Sequence, residues 1–413
     1  MLRSLKIKGF KSLEDVSINL PNFAVFFGPN AAGKSNFIDS LQLLSRLASE
    51  RTIADALSGP IRGYPMEQFN LPEGGLSDLL NKKEAFLSFE SDILPHNADP
   101  IQYRISLKLE PSKGIISVSD EYLVRLKKHK TEPKQIARIE KVSDHLVVRR
   151  LNEAGQPRQE FLGLNHTLLS DTRHSGTLYP DFDRARHELR SWRIYYLDPR
   201  VAMRSPAAPK EVQDIGSLGQ DLAPFLFRLR LEKEWKTLVR ALKMVIPSIE
   251  DLMVELDEKR GEIDIQIIQN GTPYSIRVVS EGTLRVLGLC AIALNPWPGS
   301  LVAFEEPENG VHPRRLELIV NILKAIAFEN SHKRQVVVTT HSPLFVSKII
   351  SIQKKYPKDI KLFICREEGR ASIIEEFKSH GDIFQEINIK DALESQAEDG
   401  RFQEMIIRGW LGG

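Results

Sequence analysis

Three stretches of the chain carry residue types at spacings suited to phosphate chemistry. Gly28-Pro29-Asn30-Ala31-Ala32-Gly33-Lys34-Ser35 satisfies the phosphate-loop spacing G-x-x-x-x-G-K-[ST]. Gly28 and Gly33 let the backbone curl until successive N–H groups face phosphate oxygens. A helix starting at the end of the loop adds the partial positive charge of its N-terminus. Lys34 is expected to reach the β- and γ-phosphates, and the Ser35 hydroxyl to ligate Mg²⁺. The second stretch is Glu305-Glu306-Pro307-Glu308, directly after the apolar run 300–304. Acids at the carboxyl end of a buried parallel strand sit where ligands bind. Glu305 is assigned to the metal and Glu306 to orienting or deprotonating the attacking water; Glu308 is the weakest of the three acids. The third is His341, which follows the apolar run 336–340 and precedes Ser342-Pro343; at a strand tip it can hydrogen-bond a γ-phosphate. Ser280-Glu281-Gly282-Thr283 adds a helix start at which Ser280 can cap and Gly282 admits an anion. As a bare pattern it fits an ordinary capped helix equally well.

These residues need elements to position them. Residues 5–8 and 16–20 alternate as two strands, and 23–27 is a continuous apolar run, as in a strand buried on both faces. Phe37, Ile38, Leu41, Leu44 and Leu47 share one face of a helix over 35–48. Residues 52–75 are loop-like. Short β-type runs follow at 85–89, 103–109, 115–118, 122–126 and 146–151, predicting an antiparallel region. A helical stretch is expected over 221–245 and a strand over 263–268. The last third alternates: helix 281–294, strand 300–304, helix 314–328, strand 335–340, helix 343–350, strand 361–365. That order predicts an α/β fold with a mainly parallel core.

Composition sets outer bounds. Lys and Arg number 57 against 55 acids, a net charge of +2, so any nucleic-acid surface must be a local patch. No run reaches the roughly 18 apolar residues of a membrane helix, and the alternating N-terminus is no signal peptide. A soluble, cytoplasmic protein is expected. Cys290 and Cys365 lie in apolar runs without metal spacing and read as buried free thiols.

Taken in order, these motifs resemble the ATP-binding-cassette (ABC) class of P-loop ATPases, and within it the RecF, SMC and OLD-type branch often filed as "AAA family ATPase". The matching runs are Ile7 to Ser12, Gly28 to Asn36, Ser280 to Arg285, Glu305 to Pro313 and Thr340 to Pro343. Residues 215–223 resemble the run before the helical lobe of such proteins. The resemblance implies an ABC/RecF-type P-loop fold: a mixed β-sheet lobe, a parallel-sheet lobe, and an inserted β-rich and helical region. The expected division is an ATPase core of residues 1–50 with 275–375, an inserted β region over 51–210, a helical lobe over 211–274 and a C-terminal extension over 376–413. It further implies that Lys11, Ser12 and Asn36 accompany the nucleotide, and that Ser280, Glu281 and Gly282 act in trans on ATP held by a second copy. Residues 309–312 would form the loop crossing that interface. The signature reads Ser-Glu-Gly-Thr where the broad class has Ser-Gly-Gly-Gln, Glu305 replaces the commoner Asp, and Gln68 is the candidate for the glutamine loop. The chain's end at Gly413 predicts no appended Toprim nuclease domain.

The implied cofactors are ATP and Mg²⁺, the implied assembly a homodimer or higher even oligomer, and the implied enzyme an ATPase. Two roles remain open. One is an ATP-gated DNA-handling enzyme, with Lys127, Lys128, Lys130, Lys134, Arg138, Lys141, Arg149 and Arg150 as phosphate contacts; a solvated hairpin face fits that cluster as well. The other is a regulatory scaffold holding a separately encoded nuclease or toxin, as in antiphage defence.

Overall fold

A computed structural model of the chain describes residues 1–126, 136–151, 156–329 and 333–377. The described residues form two compact units. One comprises those of Met1–Pro21, Asn30–Trp192 and Cys365–Glu375; the other comprises those of Asn22–Pro29 and Arg193–Ile364, with residues 376–377.

The first unit is built on an eight-stranded antiparallel sheet. In order across the sheet, its strands are Leu13–Asn19, Leu2–Phe10, Ala85–Ile93, Ile101–Glu110, Ile115–Arg125, Ile139–Val142, His145–Val148 and Arg158–Phe161. Ile101–Glu110 alternates strictly between buried and half-buried positions, the signature of a sheet with one face on a core. The two runs expected at 115–118 and 122–126 are one strand. Ser106 pairs with Asp120 and Leu107 with Val118, so Ser119 is an extra, bulged residue that interrupts the apolar pattern without ending the strand. The amphipathic helix Lys34–Leu47 belongs to this unit and buries Phe37, Ile38, Leu41 and Leu44. Its Ser45 hydroxyl donates to the Leu189 carbonyl at 2.7 Å.

Two buried carboxylates organise the loops of this unit. Asp181 receives both Arg125 (2.7 Å) and Arg138 (3.0 Å). Glu121 accepts from the Leu168 N–H (2.7 Å), the Leu169 N–H (2.9 Å) and the Tyr103 hydroxyl (3.0 Å). Burial nevertheless pushes its carboxyl up to about 7, the three donors opposing that rise.

A six-stranded sheet has the order Arg193–Tyr195, Leu301–Glu305, Gln335–Thr340, Phe23–Phe27, Ile360–Glu368 and Ala371–Phe377; its strands up to Ile364 make the second unit, whereas residues 365–375 belong to the first. The first five strands pair in parallel. Every residue of Phe23–Phe27 and Gln335–Thr340 is buried, as expected of strands covered on both faces. Phe23, Val25, Phe304 and Val338 share one core with Leu284, Leu287 and Ile319 of the flanking helices. Each such side chain contributes about 1.5–3 kcal/mol on full burial. The helical stretch expected over 221–245 is two helices, Leu222–Leu229 and Glu234–Val245. At the break Arg230 stacks 3.9 Å from the Phe227 ring and donates to the Val254 carbonyl. A three-stranded antiparallel sheet, Ile249–Asp257, Glu262–Gln269 and Thr272–Ser275, precedes the helix Glu281–Ala293. The α/β class and the parallel core expected from the alternation of elements are present. No helix among the described residues is long and apolar enough to cross a membrane.

Candidate functional site

The glycine loop joins the strand Phe23–Phe27 to the helix Lys34–Leu47, the strand–loop–helix context that its spacing demands. Gly28 (φ 153), Ala31 (φ 67) and Gly33 (φ 88) all have positive φ, so the loop turns back on itself at three places. Lys34 is buried at the helix start. Asn36 donates to the Ser12 hydroxyl at 2.7 Å. Lys11, also at positive φ, places its ammonium 2.6 Å from Asp39 and donates to the Arg62 carbonyl at 2.9 Å. Desolvation lowers the Lys11 pKa against the pull of Asp39.

The acids and the histidine share one edge of the parallel sheet. Thr340 pairs with Phe27, and Thr339 pairs with Glu305. The residues that leave these three strands are therefore Gly28, Glu306 and His341. This is the carboxyl edge of adjacent parallel strands, where ligands of such sheets bind. Glu306 has φ 46, uncommon for a residue with a side chain, and its N–H donates to the Thr339 carbonyl at 3.0 Å. Its carboxylate lies 2.8 Å from His341 Nδ1 through Oε1 and accepts from Asn309 Nδ2 at 2.6 Å through Oε2. Glu305 ends its strand half-buried. Its carboxylate is a hard oxygen donor, the type that suits Mg²⁺.

Glu308, the acid that ranked lowest in the sequence, has a defined structural place. It is buried and accepts from the Thr340 hydroxyl, whose oxygen in turn accepts from the Ser342 N–H at 2.9 Å. Burial pushes its carboxyl up to about 7. It thereby braces the residues on both sides of His341.

Ser280 caps the helix Glu281–Ala293, accepting from the Thr283 N–H at 3.2 Å. A Cβ at Gly282 would run into the Gly310 carbonyl oxygen, so this glycine meets a packing requirement. Arg200 donates to Glu281 at 2.8 Å, and Arg204 donates to the Val279 carbonyl at 2.6 Å.

Other expected residues are engaged elsewhere. Gln68 is fully buried and donates to the Arg62 carbonyl at 2.9 Å, holding the 62–68 loop closed. Of the basic cluster, Lys127, Lys128, Lys130 and Lys134 lie outside the described residues. The described members are engaged within the unit. Arg138 holds Asp181, Arg149 holds Glu140, Lys141 reaches the Ser119 carbonyl and Arg150 the Tyr179 hydroxyl. Cys290 and Cys365 are free and buried, each thiol pushed up to about 12 by desolvation.

Sequence reading missed Asp39, which is fully buried and also pairs with Arg62 at 3.0 Å. The signal was there: an acid set between Phe37-Ile38 and Leu41, on the apolar face of its helix.

Residues 23–347 match the protein family described as "AAA domain, putative AbiEii toxin, Type IV TA system". The chain belongs to this family. It is a RecF/SMC-like, ABC-type P-loop protein, as its motif order implied. A 55-residue stretch is 36% identical to the DNA replication and repair protein RecF of Lactobacillus johnsonii, covering 13% of this chain and 15% of that protein. The match thus spans a small part of that relative's length. The SMC head domain from Thermotoga maritima aligns over 91% of this chain and 99% of its own, with 15% identity and a TM-score of 0.41. Within this AAA family protein, the family match runs from the strand that feeds the phosphate loop to the helix that follows His341.

Proposed function

We propose that this AAA family protein binds ATP with Mg²⁺ and hydrolyses it at a site that a second copy completes. The observation that carries this reading is the shared sheet edge: Gly28, Glu306 and His341 are the first residues beyond three adjacent parallel strands. The loop N–H groups and Lys34 hold the phosphates. Ser35 and Glu305 would offer oxygen ligands to Mg²⁺, which would neutralise phosphate charge when bound. Glu306 accepts a proton from the attacking water. To do so it exchanges its bonds to His341 and Asn309 for one to water, freeing His341 to face the γ-phosphate. Ser280 and Gly282 of one copy close on the ATP of the other, so that dimerisation depends on nucleotide.

The change Glu306→Gln tests this directly. It should leave ATP affinity within about threefold, lower turnover by about 10²–10⁴, and trap an ATP-bound dimer on size-exclusion chromatography. Normal hydrolysis by this variant would remove Glu306 from the proposed role.

Downstream of ATP, we favour control of a separately encoded effector over direct DNA handling by the 127–150 cluster. The internal engagement of Arg138, Lys141, Arg149 and Arg150 supports that choice. Co-purification of a nuclease or toxin encoded alongside would support the scaffold reading. Salt-dependent duplex binding that stimulates hydrolysis would favour DNA handling instead.

A further inference from the structure

Ser372 belongs to none of the motifs above, yet it packs against the phosphate loop. It lies in the strand Ala371–Phe377, 360 residues from the turn it contacts. Its side chain is buried. Its backbone N–H donates to the Ser12 carbonyl at 2.8 Å, and its hydroxyl lies 2.6 Å from the Ser12 hydroxyl. The Ser12 oxygen also accepts from Asn36 in the first turn of the loop's helix. Three remote segments thus converge on one pair of hydroxyls. Gly33 rests on that pair: a Cβ there would collide with the Ser372 side chain and lie 3.2 Å from the Ser12 oxygen. Gly33 also has φ 88, and its carbonyl accepts the first helical bond, from Phe37, at 3.0 Å.

We infer that Ser372 is a positioning residue for nucleotide binding. Its hydroxyl, tied through Ser12 to Asn36, fixes the seat of Gly33 and so the direction in which the N–H groups of residues 31–35 point. Phosphate binding by a loop depends on those N–H groups converging, and a displacement of a few tenths of an ångström spreads them. Gly33 therefore requires glycine for two independent reasons, its backbone angle and the serine beneath it. The inference rests on the ATP-binding reading and adds the Ala371–Phe377 strand to the parts of the chain that set affinity.

The test is ATP affinity of the full chain with Mg²⁺ in Ser372→Ala, Ser372→Val and Ser372→Thr, with Lys34→Ala as reference. Removing the hydroxyl in Ser372→Ala should weaken ATP binding about fivefold, the scale of one lost hydrogen bond. Ser372→Val, which puts a methyl group against Gly33, should weaken it about tenfold or more. Ser372→Thr, which keeps the hydroxyl, should bind more tightly than Ser372→Ala. In steady-state hydrolysis the loss should fall on KM for ATP, with kcat nearly held. ATP affinity within twofold of wild type in both Ser372→Ala and Ser372→Val would overturn the inference, as would a loss confined to the melting temperature of the nucleotide-free protein. If Ser372→Val does not fold, the order of Ser372→Ala and Ser372→Thr decides. Failure of the wild-type chain to bind ATP, or unchanged binding by Lys34→Ala, removes the ATP-binding reading itself, and this inference with it.

Discussion

The two units treat their charged residues in opposite ways. In the antiparallel unit, carboxylates are drawn inward: Asp181 is closed by three arginines, Arg125, Arg138 and Arg184, and Glu121 by two backbone N–H groups and a tyrosine. In the parallel unit, Glu305, Glu306 and His341 stand at a sheet edge, and the bonds around Glu306 are side-chain contacts that a ligand can replace. Burial separates architecture from chemistry here, because a buried charge that loses its partner destabilises the fold, whereas a partly exposed one returns to water. Glu306 and Glu308 repeat the contrast two residues apart. One is partly exposed on His341; the other is buried on Thr340.

Substitutions can sharpen this contrast or break it. The largest effect is expected from Asp181→Ala, which strands Arg125 and Arg138. The chain should lose about 3 kcal/mol of stability by denaturant unfolding, while ATP affinity per folded molecule stays unchanged. A loss below about 0.5 kcal/mol would make the inner carboxylate no more structural than a surface one. Next comes His341→Ala, with the opposite profile. Turnover should fall about 10²-fold, or about 2.7 kcal/mol in barrier, with the melting temperature held; a variant that melts early and still turns over would reverse the assignment.

The smallest effect is a pH slope. Glu121 is raised from 4.5 to about 7 on folding, so the folded state holds its proton over a range where the unfolded state has lost it. Stability from this group is therefore full below about 4.5 and declines as pH rises toward about 7, with a slope of at most about 1.4 kcal/mol per pH unit. Glu121→Gln should flatten the slope and lower the plateau, since an amide offers one acceptor oxygen to three donors. A slope unchanged in this variant would place the titration elsewhere.

Much of the parallel unit was legible in the sequence because its signals are local. The run 335–340 is bounded by charge before and by His341 after, and the structure makes it a strand over those same residues. Glycines, lysine and serine of the phosphate loop are contiguous, so their joint meaning survives without the fold. Residues that act through distant partners were not legible. Asp39 takes its meaning from Lys11 and Arg62, and Ser372 from Ser12. The expected helix over 221–245 failed because both halves carry helical periodicity; the interruption is set by Arg230 reaching Val254 across the unit. Arg125 and Arg138 looked like parts of a surface because their shared acid, Asp181, comes 56 and 43 residues later in the chain.

The two cysteines have a practical consequence. With both native thiols buried and their pKa values near 12, neither offers a thiolate to a maleimide at neutral pH. A single cysteine introduced at an exposed position, such as Tyr64 or Val278, would carry all of the label. Spin or fluorophore distances between two copies, measured with and without ATP, can thus be read on an otherwise native background.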